Sequence, residues 1–455
     1  MTIIHPSTPT RKPPRRGSRM ADAGRLADIV VTVGRHQIVA VGQGGRQVVA
    51  EPRRVGPQRL AVGLRRAFAD LGPTFIKLGQ LVASSPGLFP DLLSLEFRRL
   101  LDSLPPERPE IVQATLRSEL RQPLGHVFAE FDFEPIAAAS IGQVHVAYLK
   151  DGTKVAVKVR RPGLRSVVDR DLRLLALGAR ALERAGTAGS VINPAGIVAD
   201  FKTTLRAEID FRNEARWMRS FEENLRSFGS NDRIIVPKPV DELVTERVLV
   251  MEFIEGVSID DRPALRDSGH DLPGLLRSGV RAWLEAALEH GLFHGDVHAG
   301  NIFITPDGRV AFLDFGITGT LPEVVREVLS RSLPPLLIAG DVHPLVSGLN
   351  DLGVSSGNAD LDRVEDDVRK FVQPVLDQPL SEISYSEVLM GVLRVAFRHR
   401  LQLPRELVLI VKQLIYFERY AKELAPDYRI LADPSIVEFV ARQMQQTAPG
   451  PGHRP

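Results

Sequence analysis

The chain has 455 residues, 44% of them hydrophobic and 25% charged, with a formal net charge of +2. That is an ordinary globular composition, with room for two or three domains or one large two-lobed domain with extensions. It contains no cysteine, which excludes disulfides, thiolate nucleophiles and Cys-ligated zinc and fits a reducing, cytoplasmic setting.

Residues 1–57 read as a basic, disordered arm and linker. Thirteen Lys/Arg against three Asp/Glu fall in residues 1–66, and Arg11, Lys12, Arg15, Arg16 and Arg19 sit among Pro, Gly and Ser. Two readings are open for the arm: a solvated, solubilising tail, which the charge pattern favours, or attraction to anionic lipid or nucleic acid. The apolar stretch Ile29 to Val41 is broken by Gly34, Arg35 and His36 and makes a poor secretory h-region. No uncharged apolar run is long enough to span a membrane.

Leu60, Leu64, Phe68 and Leu71 begin a helical pattern that Gly72-Pro73 interrupts and Thr74 restarts. Residues 58–130 are therefore expected to form a helical extension. From Phe131 the character changes. Gly142 to Val146 and Lys154 to Val159 are rich in β-branched residues, and Asp151-Gly152 between them signals a hairpin. A longer helical region is expected from about Pro194 to Phe228, then strands at Ile234 to Val236 and Arg247 to Phe253. Residues 131–256 form a small β-rich lobe in this reading. Residues 257–446 form a helical lobe with short strands near Phe303 and Val310, and 447–455 a disordered tail. The fold class is α+β.

Chemistry concentrates between residues 294 and 316. His294-Gly295-Asp296 is followed five residues on by Asn301, and Asp314-Phe315-Gly316 comes thirteen residues later. One Asp to handle an attacking hydroxyl or water, with an Asn and a second Asp to hold magnesium, is the donor set of ATP chemistry on a kinase-like scaffold. Upstream, Val155-Ala-Val-Lys158-Val159 puts one Lys in an apolar strand, where a charged partner is needed. A helix Glu and the ATP phosphates would supply it. Glu208 precedes Glu214 by six residues, about 240° around a regular helix, so both cannot face Lys158. Glu214 is assigned to Lys158, and Glu208 or Asp210 to another cation, with Lys77 a candidate.

Ala137, Ala138, Ala139 and Ser140 stand where a glycine-rich phosphate loop would be expected, and they restrict it. Met251, Glu252 and Ile254 end a strand as an adenine-reading hinge would. The residue before Asp296 is Gly295 rather than Arg, and only Ile317 to Leu321 separate Gly316 from Pro322. Five residues cannot build the platform that a peptide substrate needs, so general protein phosphorylation is not expected.

Taken together, Lys77-Leu-Gly-Gln80, Ala137-Ala-Ala-Ser-Ile-Gly-Gln-Val-His145, Val155-Ala-Val-Lys158, Glu208-x-Asp210 with Glu214, His294-Gly-Asp296-x-His298-x-Gly-Asn301 and Asp314-Phe-Gly316 resemble the UbiB/AarF-type atypical kinases over about residues 58–430. The resemblance implies a two-lobed protein-kinase-like fold with a helical extension. In that fold the Lys77/Gln80 element occludes the substrate site and is anchored by Glu208 and Asp210. It also implies ATP and Mg2+ as ligands and ATPase rather than protein kinase behaviour. The partners implied are an isoprenoid lipid or quinone precursor, or quinone biosynthesis enzymes, near the inner face of a membrane. Nucleic acid is not an expected partner.

The sequence departs from the family at Trp217, at Ser84-Ser-Pro-Gly87, and at Ala441 to Pro455, which is polar where many members carry a hydrophobic anchor. Membrane contact is accordingly expected through the basic arm or an amphipathic helix. A small-molecule phosphotransferase of the aminoglycoside or choline kinase type shares the Asp296/Asn301 spacing but leaves Lys77, Gln80 and the Ala-rich loop unexplained. A non-catalytic scaffold leaves the complete set of phosphate and metal residues unexplained.

Overall fold

The computed structural model describes residues 16–42, 52–83, 89–97, 99–100, 104–184, 193–227, 231–352, 360–376, 391, 394–396, 398–399, 401, 405–426, 438 and 442. The first half of the chain forms α1 (Arg16–Gly42), α2 (Pro52–Leu71), α3 (Pro73–Ala83), α4 (Asp91–Phe97), α5 (Pro109–Leu120), α6 (Leu124–Val127), β1 (Phe128–Phe131), β2 (Ala137–Ala138), β3 (Gly142–Leu149), β4 (Lys154–Arg160), α7 (Leu164–Arg184), α8 (Pro194–Glu208) and α9 (Phe211–Ser227). There follow β5 (Ile234–Ile235), β6 (Val248–Glu252), β7 (Val257–Ser258), α10 (Arg262–Asp267), α11 (Leu272–Leu288), β8 (Leu292–His294), β9 (Ile302–Ile304), β10 (Val310–Phe312) and β11 (Thr318–Thr320). The last described helices are α12 (Glu323–Ala339), α13 (His343–Asp351), α14 (Leu361–Leu376) and α15 (Arg405–Leu424). The architecture is an α+β, kinase-like fold with a helical extension.

The chain divides into two compact units, residues 1–104 with 163–206, and residues 105–162 with 207–455. The first is helical. Its α1 corrects the expectation of a disordered arm, because residues 16–42 are helix; residues 1–15 and 43–51 lie outside the described residues, as does the expected tail 447–455. Composition misled here because the ordering comes from partners distant in sequence. Arg25 donates to both Asp171 carboxylate oxygens on α7 and to the Leu71 carbonyl, and stands 5.8 Å from the Phe75 ring centroid. Asp171 is fully buried, and a buried carboxylate stripped of its cation costs about 3–5 kcal/mol. Further along α1, Arg35 and His36 meet Asp70 of α2. On α3, a Cβ at Gly79 would fall 2.4 Å from the Leu100 Cδ2 methyl, so glycine lets Leu100 pack this closely and any larger residue would make that side chain move.

The second unit holds a sheet of order β1-β3-β4-β6, with β2 pairing β3. All its pairings are antiparallel, and Lys158 stands opposite Val144 on one side and Leu249 on the other. Val155, Val157 and Val159 alternate onto the face covered by Val112 and Leu116 of α5. The expected boundaries change accordingly: α5 belongs with the sheet and not with the helical extension, whereas residues 163–206 join the extension's unit.

The expected helical region from Pro194 to Phe228 consists of two helices, α8 and α9, with a break between them. At the break the Asp210 side chain accepts from the Arg212 N–H at 3.2 Å, and the Asn213 amide donates to the Ala207 carbonyl. Short polar side chains that bond backbone in this way start helices better than they continue them. Below the first sheet, β5-β10-β9-β7 forms a second one, and β8 pairs with β11.

Candidate active site

Lys158 reaches across to α9, where its Nζ donates to Glu214 Oε1 and Oε2, both at 2.9 Å, and to Asp314 Oδ1 at 3.0 Å. Glu214 is buried, while the Asp314 side chain is 49% exposed. One cation therefore serves two carboxylates, one inside and one at the opening. Burial opposes the charge on Lys158, but the Asp314 and Glu214 carboxylates outweigh it and hold the ammonium above its ordinary value. Burial pushes Glu214 up to about 7 against the attraction of Lys158, with Asp314 adding to the rise.

Asp314 adopts φ +50, one of two non-glycine residues in the left-handed region among the described residues. Its Oδ1 also accepts from the Gly316 N–H at 3.0 Å. Asp is among the residues that tolerate this conformation, and its presence next to a site of charge is a mark of function. Phe315 fixes the turn from the other side: it is fully buried, with ring centroids 5.2 Å from Phe221 of α9 and 4.7 Å from His294.

Asp296 sits in a loop whose backbone is held by side chains. Its N–H donates to His294 Nδ1 at 3.2 Å, so the other ring nitrogen carries the proton and donates to the Leu313 carbonyl at 2.8 Å. Burial pushes the His294 imidazole below its ordinary value and keeps it neutral. This ring joins the loop of Asp296 to the strand that delivers Asp314. Asn301 Nδ2 donates to the Asp296 carbonyl at 3.0 Å, which turns the opposite oxygen of the planar amide away from that contact.

An Asn oxygen and a carboxylate fit magnesium, a hard cation that takes one or two protein oxygens and completes its shell with substrate phosphates and water.

Gly295 has a steric cause. A Cβ there would stand 3.0 Å from Ile317 Cγ2 and 3.1 Å from the Ile317 carbonyl oxygen. Ile317 is this close because the chain after Gly316 turns straight back: the Gly295 N–H donates to Ile317 O, and Thr318 pairs with His294 across β11 and β8. α12 then starts at Glu323. The absence of an Arg before Asp296 and the short segment after Gly316 are thus one structural fact.

Ala137 and Ala138 form β2 against Val144 and Gln143, and the Ala139 N–H closes a turn onto the Gly142 carbonyl at 2.8 Å. Ser140 within this turn is buried. Arg161 Nε donates to the Ala139 carbonyl at 3.0 Å while its Nη1 meets Glu107. Gln143 accepts from the Glu107 N–H at 2.6 Å and contacts His145, whose Nδ1 meets the Asp132 carbonyl. The loop is braced and short, where a glycine loop would be mobile.

Met251 is buried in β6 opposite Ala156, and Glu252 is exposed opposite Val155. A polar cleft of about 600 Å3 touches Glu252, Phe253, Ile254 and Glu255, but neither Lys158 nor Asp314 lines it. The charge geometry of Lys158, Glu214 and Asp314 locates the candidate site, and the cleft shares with it only the expected hinge residues Glu252 and Ile254.

Asp210 bonds Arg212, and the Glu208 side chain approaches Gly316, its Cγ 3.7 Å from where a Cβ would stand. Lys77 and Gln80 are half-buried on α3, in the first unit. Sequence reasoning missed Gln413 and Tyr420 of α15, which are buried against the Asp296 loop. The one signal available was a Gln among Leu409, Phe417 and Tyr420 on a single helix face.

The ABC1 atypical kinase-like domain model matches residues 99–345, and the UbiB helical domain model matches residues 368–429. An uncharacterized protein of Mycobacterium tuberculosis is 39% identical over 87% of this chain and 81% of its own length. A probable protein kinase UbiB of Azotobacter vinelandii is 33% identical over 87% of this chain and 74% of its own. Among solved structures, the complex of Rv3197 with erythromycin from Mycobacterium tuberculosis superposes with a TM-score of 0.52 at 25% identity, covering 78% of this chain and 92% of that one.

Proposed function

The chain belongs to the ABC1 atypical kinase-like family, and from that premise we propose that it is an Mg-ATP-dependent ATPase-type atypical kinase supporting isoprenoid quinone synthesis or lipid homeostasis. The observation that carries this reading is the contact of Lys158 with both Glu214 and Asp314. It brings one cation and two carboxylates to one point, as a phosphate-binding Lys, its helix anchor and a metal-binding Asp would require. Lys158 would orient the phosphates. Asp296 would accept the proton of the attacking water or hydroxyl, and Asn301 and Asp314 would hold magnesium. When bound, magnesium neutralises charge on the transferring phosphoryl group.

In the same reading, the guarding of the site against a peptide would fall to Lys77 and Gln80, with Glu208 and Asp210 as the carboxylates that would anchor them. The braced Ala137–Ser140 turn and the hinge from Met251 to Ile254 receive the nucleotide. Purified protein is expected to bind Mg-ATP, and Asp314→Asn to lower hydrolysis by about 100-fold or more. Unchanged hydrolysis in that variant would sink the proposal. A deletion strain rescued with wild type, but not with Asp296→Asn, should regain its quinone or lipid profile.

Membrane contact is proposed at α1. Met20, Val30, Val31 and Ile38 are 62–82% exposed. At about 100° per residue they share one face with Ala23, Ala27 and Gly34. In the sequence, residues 1–19 contain Arg11, Lys12, Arg15, Arg16 and Arg19 and no acidic residue. An apolar face combined with a basic segment is the two-signal pattern of a peripheral membrane helix. No described helix is long and apolar enough to cross a membrane. Co-sedimentation with anionic vesicles should exceed that with zwitterionic ones and drop in Val31→Glu/Ile38→Glu; equal binding to both vesicle types would remove the assignment.

A second reading, transfer of phosphate to a hydrophobic small molecule, is favoured by the short return after Gly316 and by the macrolide complex of the structural relative. Stoichiometric transfer of labelled γ-phosphate to a metabolite would select it over hydrolysis.

A further inference from the structure

α15 presents Gln413, Phe417 and Tyr420 at spacings of four and three, so they share one face. Gln413 is fully buried. Its Nε2 donates to the Gly295 carbonyl at 2.7 Å, and its Oε1 accepts from the Val297 N–H at 3.0 Å. The two contacts fall on either side of Asp296. Two turns on, the Tyr420 hydroxyl donates to the Val297 carbonyl at 2.9 Å. Burial holds the Tyr420 phenol far above its ordinary value, so it stays a donor. Between these groups Phe417 packs on Trp283 of α11, whose Nε1 donates to the His294 carbonyl at 2.9 Å. The outer side of α15 is tied down as well, by Arg419 to Asp260 at 2.8 Å and by Glu423 to Arg262.

An amide that bonds both a carbonyl and an N–H two residues apart pins the loop in two directions at once, because donor and acceptor lie in one rigid plane. An apolar side chain of similar length would fill the space but leave both backbone groups buried and unpaired. The segment matched by the UbiB helical model therefore reaches the loop of the candidate catalytic Asp directly.

We propose that Gln413, with Tyr420 as a second point of attachment, is a positioning residue for Asp296, through which α15 sets the geometry of the catalytic loop. Resting on the ATPase reading above, this assigns α15 a part in turnover rather than in nucleotide binding, since the contacts of Gln413 and Tyr420 fall on the backbone of residues 295 and 297.

The test compares the full-length wild type with Gln413→Leu and Tyr420→Phe in three measurements: kcat for Mg-ATP hydrolysis, the Kd for Mg-nucleotide, and hydrogen exchange at the Val297 amide. Gln413→Leu should lower kcat by about 100-fold, the scale of a misplacement of about 1 Å, with the Kd within about twofold and faster Val297 exchange. Tyr420→Phe, a change of one hydroxyl, should lower kcat by about fivefold at unchanged Kd. Values of kcat within about twofold of wild type in both variants, or losses of kcat and affinity in proportion to a lost melting temperature, would overturn the proposal. Should the wild type hydrolyse no ATP, the ATPase reading fails by itself and exchange decides the clamp. Faster Val297 exchange in Gln413→Leu then keeps it, and unchanged exchange removes it.

Discussion

Around Lys158 the site is assembled by charge meeting charge, and around Asp296 by side chains gripping a backbone. Lys158, Glu214 and Asp314 touch through their ionic ends, from a strand, a helix and a loop far apart in sequence. Asp296 is set by His294, Asn301 and Gln413, each of which bonds main-chain groups next to it or its own. The difference follows from the tasks proposed for them. A group that binds phosphate must offer its charge and can exchange one counter-ion for another. A group that handles a proton in transit must stay fixed, and here the backbone on either side of Asp296 is gripped by Gln413.

The contrast predicts different failures. The largest is expected at the charged end: Lys158→Met should lower kcat/KM for ATP by about 1,000-fold and weaken nucleotide binding along with it. An intact Kd in that variant would break the distinction. Next comes Gln413→Leu, described above, with loss in kcat alone. The smallest is a pH effect. Glu214 is pushed up to about 7 from an ordinary 4.5, so the native state binds its proton more tightly than the unfolded chain does. Stability should therefore fall as pH rises from about 4.5 to 7, and level off above, by on the order of 1–3 kcal/mol from this group. Glu214→Gln should flatten that slope in denaturation curves measured between pH 5 and 8. Parallel curves for variant and wild type would show that Glu214 does not carry it.

The hairpin of β3 and β4 was legible because β-branched runs flank Asp151-Gly152, a turn that tolerates little else. The Lys158–Glu214 contact was legible because strand and helix candidates each offered one residue of the needed charge. The break between α8 and α9 was not, since the helical pattern is apolar enough on both sides to run through. Order in α1 was also hidden: Arg25, Arg35 and His36 read as solubilising charge until Asp171 and Asp70 come into place.

The sequence by itself determined the chemistry on offer: one cation in an apolar strand, three carboxylates and an amide at fixed intervals, and too few residues after Gly316 for a peptide platform. Those properties are local, set by residue type and chain length. Tertiary structure alone decided how tightly Gly295 is crowded, how Asp296 is held, and that α15 reaches it more than a hundred residues later. Each depends on atoms brought within bonding or clashing distance by packing, which no spacing along the chain encodes.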